Sequence, residues 1–135
     1  MYFKEFSCNK TENMQVRCVP DLISTSLNVA QHMVAHCERI ERYLNRCNNS
    51  LDEFMNDELI QDGVTMQLLA MGELTTHFSE EFKLEHPTEI DWRNFKLLRN
   101  VCAHRYGTLD YKTIWDIVIG ELPQVKTFFE GIIKE

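Results

Sequence analysis

One stretch of the sequence, residues 92–106, concentrates side chains that can bind an anion and move a proton. Its cations are Arg93, Lys96, Arg99 and Arg105, and it contains no Asp or Glu. The whole chain has a net charge of −7, so this stretch is a positive stripe on an acidic body. A local positive charge of this kind predicts contact with an anion or a nucleic acid at one place on the surface.

The same stretch predicts a helix with an apolar face and a polar face at about 100° per residue. Asn100 and His104 are four residues apart and are therefore neighbours on the helix surface, and Tyr106 lies two turns beyond Arg99. Gly107 is a residue type that commonly ends helices. We therefore expect an exposed polar group at a helix end, turned away from its own core. The expected inward residues are Leu97, Leu98, Val101 and Cys102, and the expected outward residues are Arg99, Asn100, Ala103 and His104.

The pattern Arg99-Asn100-x-x-x-His104-x-Tyr106 resembles the Arg-x4-His-x-Tyr signature of the HepT-like branch of the HEPN superfamily. Flanking segments resemble landmarks of that branch in the same order, from about Ala30 to the C-terminus. The sequence departs from the family at Met66-Gln67, where the family usually has Arg-Asn, and in its first 20 residues. The landmark segments are 57–62, 71–73, 78–82, 86–87, 92–93, 114–116 and 122–123.

The resemblance implies a metal-independent ribonuclease that needs no cofactor and acts on RNA and not on DNA. In such a reaction the ribose 2′-hydroxyl attacks the adjacent phosphate, so a base must accept its proton and a cation must stabilise the phosphorane. Histidine is partly neutral at cellular pH, and general acid–base catalysis contributes roughly 10²–10⁴-fold. The planar fork of arginine matches phosphate better than lysine does. We interpret His104 as base or acid, Arg99 as phosphate clamp and Asn100 as polar orienter. Tyr106 is a candidate to position the substrate or donate a hydrogen bond to it. The candidate RNA contacts are Arg93, Lys96 and Arg105.

The resemblance also implies partners. One motif histidine per chain is few for a reaction with two proton transfers. The family is dimeric, with the motif facing a cleft between subunits. HepT-like toxins are usually encoded beside an MntA-like nucleotidyltransferase antitoxin that adds AMP to the motif tyrosine, here Tyr106. Phosphates placed beside Arg99 and His104 would occupy the anion site and block RNA. The implied protein is the ribonuclease toxin of a toxin–antitoxin pair. The acidic body fits an enzyme that contacts a short piece of RNA, such as a tRNA end.

Other interpretations stay open beside this one. An Arg–His pair at a helix end is, without context, most often a solvated surface. The chain is then either a non-catalytic helical partner that presents a substrate to a nucleotidyltransferase, or a dimeric scaffold. His32 and His36 are four residues apart, with Cys37 adjacent, and could be half a metal site. No third ligand of suitable spacing is evident, so surface or packing roles are favoured and no metal is predicted. Cys102 is expected to be an inert core residue.

Length and composition predict one ordinary globular domain. The longest uncharged run, residues 22–37, is interrupted by polar side chains, so we expect no membrane span. No apolar run near the start resembles a signal peptide, and the chain is interpreted as cytoplasmic. Five cysteines without a Cys-x-x-Cys pair argue against a disulfide scaffold or a zinc ribbon.

The helical pattern predicts an all-α antiparallel bundle of four main helices plus shorter ones over residues 21–135. Residues 1–20 are an extension of unknown role, either a small β-hairpin or a loosely attached arm. Gly63 and Gly72, inside the longest predicted helix, are expected to mark close approach between helices. Leu59 and Ile119 are expected to face inward, and Trp92 and Trp115 are expected to anchor the core. The predicted helices are 22–46, 51–55, 57–84, 92–104, 111–120 and a last helix from Leu122.

Overall fold

The computed structural model describes residues 22–104 and 108–134, with side chains from residue 25. Within these residues the protein consists of helices and has no strand, which confirms the predicted all-α bundle. The predicted N-terminal hairpin or arm, Arg105 and Tyr106 lie outside the described residues. The helices are α1 (Leu22–Arg46), α2 (Leu51–Met55), α3 (Glu58–Leu74), a 3-10 helix (Thr75–His77), α4 (Glu80–Glu85), α5 (Trp92–His104), α6 (Tyr111–Gly120) and α7 (Leu122–Lys134).

Local hydrogen bonds set most of the helix boundaries. Asn48 and Asn49 follow α1 with positive φ angles of 57° and 51°, a conformation that asparagine tolerates better than most residues. A short polar side chain then precedes each of several helices and accepts a hydrogen bond from a free backbone N–H of the first turn. These capping residues are Ser50 for α2, Asp57 for α3, Ser79 for α4, Asp91 for α5 and Asp110 for α6.

The single helix predicted for residues 57–84 is wrong, because the chain breaks after α3. The hydroxyls of Thr75 and Thr76 donate to carbonyl oxygens three residues earlier, at 2.6 and 2.7 Å, and the backbone tightens into a 3-10 turn. Phe78 is extended, with φ −76° and ψ 141°, and Ser79 caps α4. Phe78 remains buried across the break, so the apolar periodicity did not reveal it.

α1 is the central helix and runs antiparallel to two others. Against α3, Tyr43 packs on Gly63, while His36, earlier in α1, contacts Gln67, later in α3. Against α7, the Glu41 carboxylate accepts from Lys126 at 2.9 Å. The largest fully buried side chains of the core are Met33, Cys37, Ile40, Phe54, Val64, Leu68, Met71, Ile90 and Phe129.

Two expected inward residues point to solvent instead. Leu59 is 77% exposed and Ile119 is 47% exposed. Each lies beside a residue that takes the inward position, Ile60 or Val118, and one narrow stripe of a helix faces the core. Trp92 and Trp115 pack against the core as predicted. No helix of the described chain is both long and apolar enough to cross a membrane.

Candidate functional site

α5 carries the predicted site residues, and both its first turn and its inward face are fixed to the bundle. Asp91 accepts from the backbone N–H of Asn94 at 3.0 Å, and Trp92 Nε1 donates to the carbonyl oxygen of His86 at 2.9 Å. Phe95 and Cys102 are buried seven residues apart, which places them on one face of the helix. This face lies against the bundle and determines where every other side chain of α5 points.

The predicted orientation of α5 is wrong for three residues. Leu97 and Val101 were expected inward, and Arg99 was expected outward. Leu97 and Val101 are 50% and 39% exposed, whereas the stem of Arg99 packs against α3. Gly72 explains the position of Arg99. A Cβ at Gly72 would overlap Arg99 Cβ and lie 3.1 Å from the carbonyl oxygen of Phe95, so the stem of Arg99 occupies space that a side chain on α3 would fill. A long charged side chain can cover such a surface and keep its head in water.

The Arg99 guanidinium is held at two points. Its Nε donates to the Glu73 carboxylate on α3 in an ion pair, and its Nη1 donates to Asn100 Oδ1 at 3.0 Å. Because a guanidinium has five N–H donors, three have no acceptor among the described residues and can serve a ligand. Sequence reasoning missed the role of Glu73, which lies 26 residues from Arg99 along the chain. No signal in the sequence pairs the two, since their contact depends on how α3 and α5 pack.

Asn100 and His104 lie beyond this pair on the outward side of α5. The Asn100 carbonyl is occupied by Arg99, which leaves its Nδ2 as a hydrogen-bond donor. His104 is exposed and is the last residue of α5. At about 100° per residue, Arg93, Asn100 and His104 share one stripe, with Lys96 beside it. The structure thus groups Arg99 with Asn100 and Glu73, and places His104 one turn further on. The predicted site residues Arg105 and Tyr106 lie outside the described chain.

An apolar groove of about 620 Å³ lies beside this stripe, between α5, α6 and α7. The exposed Leu97 and Val101 form part of its wall. Its ionisable residues are all acidic, with no Lys, Arg or His among the described residues that line it. These acids are Glu89, Asp91, Asp110 and Glu121.

Other polar groups have structural explanations. His36 Nδ1 lies 2.6 Å from Gln67 Oε1, which is consistent with the packing role favoured from sequence. No group of three or more His, Cys, Asp or Glu among the described residues is arranged to hold a metal ion. Cys102 is buried as predicted, and burial raises the pKa of its thiol, so the sulfur is a poor nucleophile.

The helical bundle and the Arg–Asn–His pattern on one helix agree with the HEPN type that the sequence resembles. The family model described as "Ribonuclease HepT-like" matches residues 33–132, so the chain belongs to this family of ribonucleases. The expected resemblance is confirmed.

Curated relatives agree with the family. A protein of Thermococcus cleftensis named "Probable ribonuclease HepT" is 31% identical over 83 residues, which are 62% of this chain and 74% of the relative. A Methanocaldococcus jannaschii protein named a "Putative RNase" is 34% identical over 86 residues, or 64% of this chain and 70% of the relative. A Caldanaerobacter subterraneus protein with the same type of name is 24% identical over 106 residues, or 78% and 91% of the two chains. No solved structure matches the chain significantly.

Proposed function

We propose that this protein is the metal-independent endoribonuclease toxin of a toxin–antitoxin pair. Membership of the HepT-like ribonuclease family and the names of its relatives support a ribonuclease activity. The observation that carries the proposal is the hydrogen bond that brings the Arg99 guanidinium to Asn100, with the exposed His104 one turn further along α5. The proposed place of action is the cytoplasm, and the acidic body favours a short RNA element, such as a tRNA end, as substrate.

The proposed reaction needs no metal because the substrate supplies its own nucleophile. His104 accepts the proton of the ribose 2′-hydroxyl as the 2′-oxygen bonds to phosphorus. The free N–H groups of Arg99 and Asn100 Nδ2 bind the phosphate oxygens, where negative charge develops. The bond from phosphorus to the 5′-oxygen breaks, and that oxygen takes a proton from an acid. The products are a 2′,3′-cyclic phosphate and a 5′-hydroxyl.

A homodimer would supply the acid, because the second copy brings its own His104. The groove beside α5 supports this arrangement. It offers an apolar wall with exposed Leu97 and Val101, and its ionisable residues are acidic, while Arg93 and Lys96 on α5 are basic. In a twofold contact, α5 of one copy would place its apolar pair on the groove of the other and its cations near the acids.

The dimer is tested by placing a charge on the exposed apolar pair. We expect Leu97→Glu to shift the mass measured by light scattering from dimer to monomer and to abolish cleavage, because an unpaired carboxylate would be buried at the contact. Leu59→Glu is the matched control, since Leu59 is also an exposed leucine but lies on α3. A wild-type protein that is monomeric at micromolar concentration would contradict the proposed dimer.

The proposed antitoxin is an MntA-like nucleotidyltransferase that transfers AMP to Tyr106. Two features support it: membership of the HepT-like family, and the position of Tyr106 two residues after His104. AMP on this tyrosine would bring phosphate to the cations that bind RNA. Mass spectrometry of the protein co-expressed with the antitoxin should detect AMP-sized additions on Tyr106, and Tyr106→Phe should carry none. A toxin that is fully neutralised without modification would contradict this part of the proposal.

Induction without antitoxin tests the ribonuclease. We expect growth arrest with the wild type and none with Arg99→Ala or His104→Ala, and Arg42→Ala and His77→Ala are controls of the same residue types at exposed positions elsewhere. Purified wild type should produce fragments with cyclic phosphate ends in the presence of a chelator. Equal arrest by His104→Ala would refute catalysis by this residue. It would favour a non-catalytic partner of the nucleotidyltransferase.

A further inference from the structure

Among the described residues of other helices, Glu73 is the one that pairs with the Arg99 guanidinium through a hydrogen bond or an ion pair. The two side chains are 48% and 39% exposed. An ion pair this exposed to water contributes little to folding stability, because solvent screens the charges and both side chains lose freedom. Stabilisation of the fold is therefore a weak explanation for the presence of Glu73 beside Arg99.

The geometry suggests a different role. Glu73 binds Nε and Asn100 binds Nη1, so two directions within the guanidinium plane are fixed. The base of the Arg99 side chain is fixed as well, because it packs against the bare backbone of Gly72. A guanidinium that is bonded at two atoms and carried on a packed stem has few remaining orientations. Its three free N–H donors therefore point to a defined position before any ligand arrives.

We propose that Glu73 is a positioning residue that acts through Arg99, holding the guanidinium in the orientation that receives the scissile phosphate. This role rests on the proposed ribonuclease function. Glu73 also has an opposite effect on binding, since its negative charge repels the anionic substrate. Removing it frees Arg99 and lowers the local negative charge at the same time. The first change slows the chemical step and the second tightens RNA binding.

This split between kcat and KM distinguishes positioning from a purely electrostatic role. For Glu73→Ala we expect kcat to fall about 10- to 100-fold, the size of effect that follows from misplacing a reacting group, while KM for a short RNA also falls. Glu73→Gln keeps an oxygen that accepts from Nε, so it should recover much of kcat and keep the lower KM. Asp62→Asn is the control, because it removes one negative charge from an exposed position of α3 away from Arg99.

Each outcome has a consequence for the inference. Wild-type kcat in Glu73→Ala would overturn it and leave the ribonuclease proposal intact. An equal loss of kcat in Glu73→Gln and Asp62→Asn would also overturn it, since charge alone would then explain the effect. Absence of cleavage by the wild type would refute the ribonuclease proposal and this role together. Circular dichroism and the midpoint of thermal unfolding verify that each variant is folded. The Nε–H signal of Arg99 in NMR spectra should be protected in the wild type and lost in Glu73→Ala.

Discussion

Substitution of glycine by alanine at three helical positions should separate close helix packing from helix propensity. Gly131 in α7 has open space around it, Gly63 in α3 faces the ring of Tyr43, and Gly72 in α3 faces the stem of Arg99. In each helix the substitution reduces the flexibility of the unfolded chain, which stabilises the protein by up to about 1 kcal/mol. The three variants differ only in what the new methyl group meets.

The structure determines the sign of each effect. At Gly131 nothing opposes the gain, so we expect a stabilisation of about 0.5–1 kcal/mol. At Gly63 the new Cβ would lie 3.0 Å from Tyr43 Cε2, and a small tilt of the half-buried ring can relieve this contact, so the net change should be near zero. At Gly72 the new Cβ would overlap Arg99 Cβ, an atom that moves only with the backbone of α5. Overpacking of this kind costs about 1–3 kcal/mol, so the net destabilisation should be about 1–2 kcal/mol.

Unfolding in urea and on heating, followed by circular dichroism at one protein concentration, measures these differences. One kcal/mol corresponds to a shift of about 3–5 °C in Tm for a chain of this size. The expected order of stability is Gly131→Ala, then Gly63→Ala and wild type together, then Gly72→Ala. A Gly72→Ala variant as stable as Gly131→Ala would refute the close approach of α3 and α5. It would also remove the packing argument for the fixed stem of Arg99.

Two further predictions concern titratable groups. The hydrogen bond from the Thr113 hydroxyl holds the pKa of Asp110 below its ordinary 3.8, so the charged cap of α6 stabilises the fold above that pH, and this stabilisation is lost as the pH falls through the lower folded value. Asp110→Asn should therefore flatten the decline in the midpoint of thermal unfolding measured from pH 5 to pH 2. An unchanged decline would contradict this prediction. Burial raises the pKa of Cys37 from 9.0 to about 12 and also raises that of Cys102, so both thiols stay protonated and shielded from solvent. Peptide mapping after treatment with N-ethylmaleimide at pH 8 should find both cysteines unlabelled in the native protein and labelled in urea. Rapid labelling of the native protein would contradict this prediction and show that the thiols are accessible.

Sequence reasoning succeeded best where the cause is local. The boundaries of α1 and of α5 were predicted to the residue, and α5 begins directly after its capping residue Asp91. A cap is decided by one side chain and an N–H two or three residues away, so the chain carries the whole signal within a few positions. The same reasoning failed after α3, because the threonines that tighten that turn are common inside helices as well.

The packing of the helices decided the orientation of α5, which the pattern of residues along the chain left open. The orientation of α5 was predicted from its own apolar residues, which placed Leu97 and Val101 inward. A helix turns its best-fitting face to its neighbour, and the fit depends on side chains that are distant in the sequence. Gly72 leaves space on α3 for the stem of Arg99, and the burial of Phe95 and Cys102 leaves Leu97 and Val101 at the surface.

By itself the sequence determined that this chain is an all-α protein of the HepT-like ribonuclease family. It also predicted the helix that carries the motif, α5. These properties depend on residue types and spacings within one helix and on short capping signals. The ion pair between Glu73 and Arg99 and the apolar groove beside the motif were decided only by the tertiary structure. They arise where different helices meet, and contacts between distant segments leave no pattern in a single sequence.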